Sequence, residues 1–273
     1  MTLKTALAQG AKLLEEAGVD APRLTAEVLL CYALRREKSY LYAYPEVELT
    51  ELAWIHFGRY LHERMNGKPT QYITHVQEFY GRSFQVTPDV LIPRPETEHV
   101  VEAALKFHSA RVLDIGCGSG AIAVTMACES PAMVWATDIS TKALEVAQGN
   151  ARELGAKVWF ANADLGSCFA PRSFDLIVSN PPYIPTSDAP GMQREVRDWE
   201  PHVAIFSGES GNEAYVRIAE SAAELLVTGG HLVLELGHQS APAVRAMLGP
   251  QWQNVRLLRD LSGIERVLTA QLQ

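Results

Sequence analysis

A tetrapeptide with unusual chemistry, Asn180-Pro181-Pro182-Tyr183, follows the apolar run 174–179. That run predicts a buried strand, whose end would bring Asn180 to the carboxyl edge of a sheet, where open α/β folds bind ligands. Two consecutive prolines stiffen the turn, because each fixes its own φ and removes a backbone donor. The Asn180 amide oxygen and the Pro181 carbonyl could each accept one N–H of a planar –NH2 group, and the Tyr183 ring could pack on its flat face. The tetrapeptide therefore predicts a catalytic site for an uncharged amide or amine; a Pro-rich loop without a ligand is the alternative.

A glycine-rich loop lies upstream, between a predicted strand at 111–115 and a predicted helix that starts at Ala121. The loop consists of Gly116, Cys117, Gly118, Ser119 and Gly120. Its glycines permit a tight turn and a close approach of the backbone, and the following helix N-terminus offers free N–H groups to a nucleotide. The same string fits the relaxed dinucleotide fingerprint, so an NAD-dependent oxidoreductase remains an alternative.

Three acidic residues stand beside or after predicted strand ends. Asp138 lies roughly 20 residues beyond the glycines, where an acid accepts the hydroxyls of a ribose. Asp164 follows the next strand and could accept the exocyclic amine of an adenine, with Leu165 covering the ring. Asp114, ahead of the first glycine, could orient the loop or meet an amino-acid portion of the ligand. Such acids often only cap a helix, but Ser140 is the better cap here and leaves Asp138 for a ligand.

Together these motifs resemble the cofactor loop, ribose acid, adenine acid and target-amide motif of class I methyltransferases. The segments 91–98 (LIPRPETE) and 67–73 (GKPTQYI) resemble signatures of the HemK/PrmC protein-glutamine methyltransferases, and 262–267 (SGIERV) fits them as well. The resemblance implies an α/β fold with a Rossmann-like seven-stranded sheet whose last strand is antiparallel. It also implies S-adenosyl-L-methionine as the cofactor, with S-adenosyl-L-homocysteine as the product. One departure is Leu165, where some relatives carry an aromatic residue.

The resemblance further implies a reaction and a partner. The 180–183 tetrapeptide would bind the side-chain amide of a glutamine, most simply the one in the Gly-Gly-Gln motif of peptide chain release factors. Sister enzymes with the same tetrapeptide modify a ribosomal protein, and adenine-N6 DNA methyltransferases also contain it, so both remain alternatives. A non-catalytic adaptor with a retained nucleotide pocket is a further one.

Charge and composition limit the partners. The net charge is −8 at pH 7, and the longest basic run is the segment 35–38, so we expect no binding of duplex nucleic acid. No apolar run approaches the ~18 residues of a membrane span. The four cysteines form no C-x-x-C pair, which indicates a reducing cytoplasm, and Cys117 is interpreted as a small packing residue. The histidines lack ligand spacing, so no metal is expected, and 96–99 is interpreted as a solvated cluster that starts a helix.

Periodicity divides the chain into three parts. Residues 2–67 show only helical apolar spacing. We predict an N-terminal helical substrate-recognition domain at 1–75, a β-hairpin linker at 76–95 and a methyltransferase catalytic domain at 96–273. The hairpin is predicted from strands at 78–86 and 90–92 around a turn at 87–89. Beyond it, helices alternate with strands predicted near 111–115, 133–138, 157–161, 174–179, 231–236, 254–259 and 264–270, which indicates a parallel sheet with an antiparallel last pair.

Overall fold

The computed structural model describes residues 1–273 and separates into two compact units. Unit 1 consists of Met1–Val76 together with Gln193–Trp199, and unit 2 consists of Gln77–Met192 together with Glu200–Gln273. The segment 193–199 therefore packs with the N-terminal helices, although unit 2 flanks it on both sides in the sequence. None of the helices has the length and the apolar character that crossing a membrane requires.

The first 76 residues of unit 1 form five helices, in agreement with the apolar spacing of that region. They are α1 (Leu3–Glu16), α2 (Pro22–Leu34), α3 (Lys38–Ala43), α4 (Glu51–Met65) and α5 (Thr70–Thr74). Thr2 and Thr50 cap α1 and α4, because each side chain accepts the backbone N–H three residues on. Gly10 allows α1 to approach α4 closely, since a Cβ at this position would lie 2.6 Å from the Phe57 ring.

The predicted β-hairpin is present and consists of β1 (Val76–Phe79) and β2 (Arg82–Gln85). Its turn is Tyr80-Gly81, so the prediction of a turn at 87–89 and a second strand at 90–92 is wrong. Both turn residues have positive φ, 51° and 68°, which is the combination that a two-residue type I′ turn requires. Residues 90–92 form no strand, and two of their three side chains are buried in unit 2.

A seven-stranded sheet forms the centre of unit 2, which confirms the predicted fold class. Its strands are β3 (Arg111–Ile115), β4 (Met133–Asp138), β5 (Val158–Asn162), β6 (Phe174–Ser179), β7 (Leu226–Glu235), β8 (Trp252–Arg259) and β9 (Glu265–Leu272). The spatial order is β5-β4-β3-β6-β7-β9-β8. All pairs are parallel except those of β9, which runs antiparallel to both β7 and β8. The last strand is therefore the reversed one, as expected.

Helices cover both faces of this sheet. They are α6 (Glu98–Leu105), α7 (Ala121–Glu129), α8 (Thr141–Glu153), α10 (Glu213–Leu225) and α11 (Ala241–Met247), while α9 (Arg194–Trp199) belongs to unit 1. Residues of α6, α7 and α8 share one hydrophobic core with the sheet, and residues of α10 and α11 share a second core with it. The two cores fix the sheet rigidly, so the loops at its carboxyl edge start from well-defined positions.

The strand order reverses between β3 and β6. From β3 the chain adds β4 and β5 on one side, and it then crosses to the other side to add β6 and β7. The loops that leave β3 and β6 consequently diverge and open a crevice between them, which is the usual ligand position in open α/β sheets. The glycine loop follows β3 and Asn180 follows β6, so the fold brings the two sequence motifs to one crevice.

Candidate active site

A cavity of unit 2 lies at this crevice and collects most of the residues that the sequence indicated. The cavity is lined by four of the five glycine-loop residues, by both strand-end acids and by three residues of the tetrapeptide. The predicted residues in its lining are Gly116, Cys117, Gly118, Ser119, Asp138, Asp164, Leu165, Asn180, Pro181 and Pro182. Asp114, Gly120 and Tyr183 lie outside that lining.

The glycine loop has the backbone that its sequence requires. Gly116, Gly118 and Gly120 have φ values of 73°, 54° and 81°, a region that side chains with a Cβ rarely adopt. The backbone N–H groups of Gly116 and Cys117 donate to the Thr137 carbonyl at 2.8 and 2.9 Å, which ties the loop to the end of β4. Gly120 serves packing, because a Cβ there would lie 3.0 Å from the Ala147 Cβ. Burial raises the pKa of the Cys117 thiol well above its usual value, as suits a packing residue and not a nucleophile.

Asp138 holds the loop as well as facing the cavity. Its Oδ2 accepts the Gly118 N–H and its Oδ1 accepts the Ser140 N–H, both at 2.9 Å. Ser140 caps α8 through a bond from the Ala143 N–H, as predicted. The carboxylate is thus not free, but each of its oxygens has a second lone pair that can accept a hydroxyl. Two backbone donors fix its direction before any ligand arrives.

Asp114 lies behind the glycine loop, where it is 1% exposed. Its Oδ2 accepts the Ala123 N–H at 3.0 Å in the first turn of α7, while its Oδ1 has no partner. Burial raises the pKa of this carboxyl to about 7, against the lowering effect of the Ala123 bond, and the nearby Asp138 charge raises it further. Asp114 is thus bonded to the first turn of the helix that follows the loop, and its two predicted roles stay predictions.

The end of the cavity near Asp164 contains residues that the sequence did not single out. Asp164 is exposed and pairs with Arg217 through its Oδ2 at 2.7 Å. Leu165 adopts a positive φ of 54° beside it and lines the cavity. Ile139 also lines the cavity although 60% of its surface is exposed. A large aliphatic residue directly after the strand-end acid is the signal that could have identified Ile139; Arg217 and Ile218 come from α10 and have no local signal.

The Asn180 side chain is held at one end only. Its Nδ2 donates to the Thr97 Oγ1 at 3.1 Å, and the Thr97 hydroxyl donates to the Glu235 Oε2 at 2.6 Å. This arrangement leaves the amide oxygen of Asn180 as the group that can accept a hydrogen bond in the cavity. Thr97 is 4% exposed, so the interpretation of 96–99 as a solvated cluster is wrong for this residue. The interpretation as a helix start is right, because α6 begins at Glu98.

Tyr183 supports the turn from behind. A Cβ on Gly237 would lie 2.6 Å from the Tyr183 Cδ2, so the ring covers the bare backbone of this glycine. Burial raises the pKa of the Tyr183 hydroxyl to about 12. Tyr215 secures the same region, since its hydroxyl donates to the Glu235 carbonyl and accepts the Gly237 N–H, both at 3.0 Å. The Tyr183 ring thus packs on Gly237 in this structure, and its predicted contact with the flat face of a target group stays a prediction.

The fold and the cavity define an α/β methyltransferase. A solved methyltransferase structure from Pyrococcus furiosus matches with a TM-score of 0.54 at 20% identity, covering 70% of this chain and 89% of that one. A family model for the methyltransferase small domain matches residues 96–192. A model for the PrmC N-terminal domain matches residues 5–74.

Full-length relatives narrow the class to one family. The release factor glutamine methyltransferase of Koribacter versatilis is 47% identical over 274 residues, which are 98% of this chain and 98% of that protein. The protein of the same name from Moorella thermoacetica is 43% identical and covers 99% of this chain and 98% of its own length. The chain belongs to the PrmC family of release factor glutamine methyltransferases. The HemK/PrmC resemblance of the sequence motifs is confirmed, and the oxidoreductase alternative is not favoured.

We expect Gly237→Ala to destabilise the protein by about 1–3 kcal/mol, because the new methyl group would overlap the Tyr183 ring and crowd Ser240. Gly149→Ala is the matched control. This helical glycine has open space where a Cβ would be placed, so the change should stabilise by roughly 0.5–1 kcal/mol. Urea unfolding of both variants measures the difference. Equal stability of the two variants would show that the Tyr183–Gly237 contact is loose.

Proposed function

We propose that this protein transfers a methyl group from S-adenosyl-L-methionine to the side-chain amide nitrogen of a glutamine in a peptide chain release factor. One observation carries the proposal: the glycine loop, Asp138 and the Asn180-Pro181-Pro182 turn line a single cavity at the strand-order reversal. A nucleotide half and an amide-binding half are therefore adjacent. The release factor is suggested by the names of the relatives that match nearly the whole chain.

The residues of the cavity fit S-adenosyl-L-methionine. Asp138 offers two fixed carboxylate oxygens to the ribose hydroxyls. Ile139 and Leu165 present aliphatic surface to the adenine ring, and Asp164 keeps one carboxylate oxygen for the exocyclic amine beside its bond to Arg217. When bound, this cofactor supplies a methyl group on a sulfonium centre, which is strongly electrophilic.

The tetrapeptide would align the glutamine amide that receives the methyl group. An amide nitrogen is a weak nucleophile, since its lone pair is delocalised into the carbonyl group. The Asn180 Oδ1 and the Pro181 carbonyl would each accept one N–H of the glutamine amide, so that the lone pair turns toward the methyl group. The same two acceptors would stabilise the positive charge that develops on the nitrogen. No general base is required during transfer, because the proton leaves afterwards.

Unit 1 would bind the release factor away from the reacting glutamine. Leu24, Val28 and Tyr32 follow one another at four-residue spacing on α2 and remain exposed, by 51%, 38% and 38%. These three side chains form an exposed apolar stripe. The Tyr32 ring packs on the Tyr60 ring of α4, with the ring centroids 5.2 Å apart, and this contact fixes one end of the stripe. A contiguous exposed apolar stripe is typical of a protein-binding surface. Binding energy gained there would position the glutamine at the cavity.

Replacing Asp138 tests the cofactor half. We expect Asp138→Ala to weaken the binding of S-adenosyl-L-methionine by about 1.5–3 kcal/mol for each charge-assisted hydrogen bond that is lost. Asp20→Ala, which removes an exposed acid of unit 1, should leave the affinity unchanged. Calorimetric titration measures both. An unaltered affinity in the Asp138 variant would refute the ribose assignment.

Replacing Asn180 tests the amide-binding half of the cavity. Asn180→Ala should raise the activation free energy of methyl transfer by ~3 kcal/mol or more, since one of the two hydrogen-bond acceptors that align the glutamine amide is lost. The affinity for S-adenosyl-L-methionine should stay within a few fold. The assay follows methylation of a full-length release factor by mass spectrometry, with ribosomal proteins as competing substrates. Loss of cofactor binding with unchanged turnover of the bound enzyme would make Asn180 a cofactor contact only.

Substitution of the exposed stripe tests unit 1. We expect the triple change Leu24→Ser, Val28→Ser and Tyr32→Ser to lower kcat/KM for a full-length release factor at least about tenfold. A short peptide that contains Gly-Gly-Gln should be methylated at the unaltered rate, because it lacks the part of the release factor that unit 1 would bind. Leu261→Ser, at a fully exposed turn of unit 2, is the control. An equal loss with protein and peptide would assign the stripe a structural role.

A further inference from the structure

Glu235 is a buried carboxylate beside the amide-binding turn that the proposed reaction does not use. It is the last residue of β7 and is 2% exposed. Ser179, the last residue of β6, lies opposite Leu234 in the parallel register, so Glu235 and Asn180 leave adjacent strands at the same level. A buried charge is costly without a partner. A carboxylate that is buried one strand away from Asn180 is therefore expected to have a function at this place in the structure.

The hydrogen bonds that join Glu235 to Asn180 have a fixed direction. Thr97 has a single hydroxyl proton, which it donates to the Glu235 Oε2 at 2.6 Å. The same hydroxyl oxygen can then only accept, and the group that it accepts from is the Asn180 Nδ2 at 3.1 Å. An ionised carboxylate cannot donate. When Glu235 is ionised, it thus determines which end of the Asn180 amide faces Thr97.

The orientation of this amide matters because its two ends are nearly equal in size and opposite in hydrogen bonding. With Nδ2 on Thr97, the oxygen of Asn180 is left for the N–H of a target amide. After a 180° rotation about the last side-chain bond, the –NH2 group would face the –NH2 group of the target, donor against donor. The two orientations differ little in packing, so hydrogen bonding must select between them.

We propose that Glu235 and Thr97 are positioning residues, which hold Asn180 with its oxygen toward the glutamine amide that is to be methylated. This inference rests on the proposed role of Asn180. Thr97 lines the cavity, but its hydroxyl is engaged by Glu235 and Asn180, so in this scheme it makes no hydrogen bond to the substrate. Neither residue transfers a proton. The Thr97 side chain makes no capping hydrogen bond to α6, so its hydroxyl is available to Glu235 and Asn180. A hydroxyl and a carboxylate from chain positions 138 residues apart thereby define one amide orientation.

The charge of Glu235 should be visible in the pH dependence of the reaction. Burial raises the pKa of this carboxyl to about 7, against the lowering effects of the Thr97 bond and of Arg266. The other charged groups that act on it are Glu96, which raises the pKa, and Arg94, which lowers it. Tyr183 stays neutral, as its own pKa is about 12. Below pH 7 Glu235 binds a proton, can donate to Thr97, and no longer enforces the productive orientation.

The first experiment measures kcat and KM for a full-length release factor with Thr97→Val and Thr97→Ser. Valine has the shape of threonine without the hydroxyl, so we expect kcat to fall about ten- to a hundredfold. KM and the affinity for S-adenosyl-L-methionine should stay within about threefold, because valine keeps the shape of this part of the cavity wall and the Thr97 hydroxyl bonds to Glu235 and Asn180. Thr97→Ser should recover most of kcat. A kcat of the valine variant within twofold of the wild type would overturn the inference.

Asn180→Ala, measured in parallel, separates this inference from the function on which it rests. If that variant is inactive while Thr97→Val is fully active, only the positioning role fails. If Asn180→Ala itself retains the wild-type rate, the proposed amide-binding function fails and the positioning role fails with it. Loss of activity in both variants, with recovery by serine, supports the two together.

The second experiment compares the pH profiles of kcat for the wild type and Glu235→Gln. The wild-type rate should fall as the pH is lowered through about 7. The glutamine variant cannot titrate and should lack this part of the profile. Asp114, whose pKa is also about 7, is present in both proteins, so the difference between the profiles isolates Glu235. The same decline in both proteins would overturn the inference, even if the Thr97 variants do not fold.

Discussion

β3 lies where the strand order of the sheet reverses, with β4 on one side and β6 on the other. The connection after β3 leads to β4 on one side and the connection after β6 leads to β7 on the other, so the two loops diverge and a crevice opens between them. Apolar side chains bury both strands, and Val112 and Leu176 are paired in the register and fully enclosed. The positions of the glycine loop and of Asn180 are thus set by the packing of the sheet. The glycine loop and the 180–183 tetrapeptide therefore become neighbours without any loop having to be long.

Buried acids hold the remaining wall of the cavity. The segment 91–98 has no regular structure before the short turn at Pro95–Thr97, and an irregular segment has few internal hydrogen bonds to fix it. Glu200, which is 4% exposed, accepts from the Arg94 guanidinium and from the Ile92 N–H. Glu235 accepts from Thr97. Two carboxylates from distant parts of the chain therefore anchor the segment. Because a buried carboxylate is strongly destabilising without its donors, each anchor constrains the segment more than an apolar contact would.

The sequence alone predicted the elements whose signals are local. The first four strands of the sheet, β3 to β6, are short apolar runs that end at or before Gly, Asp or Asn, and their predicted bounds agree with the structure to within one residue. β7 is different, because it begins at Leu226, five residues before the predicted start at 231. The hairpin turn was misplaced, since Tyr80 adopts a left-handed backbone that Asn or Asp usually occupies, while Thr87-Pro88-Asp89 has the composition of a turn. Thr97 was interpreted as solvated because its neighbours are charged. Its hydrogen-bond partners in the buried position, Asn180 and Glu235, lie 83 and 138 residues away in the chain, and no local pattern contains that information.

The pairing of Asn180 with Glu235 also explains why an amide suits this turn better than a carboxylate. A carboxylate at position 180 could accept from the target amide equally well, and its charge would attract a sulfonium. It would, however, compete with Glu235 for the single proton of the Thr97 hydroxyl. One of two buried carboxylates would then lack a donor, at a cost of about 1–3 kcal/mol or more. The asparagine side chain avoids this conflict because it donates at one end and accepts at the other. The carboxylate of Glu235 and the amide of Asn180 are for that reason a matched pair. Glu235 requires a donor, which Thr97 supplies, and the Asn180 Nδ2 donates to Thr97 in return, so that the Asn180 oxygen is left for the cavity.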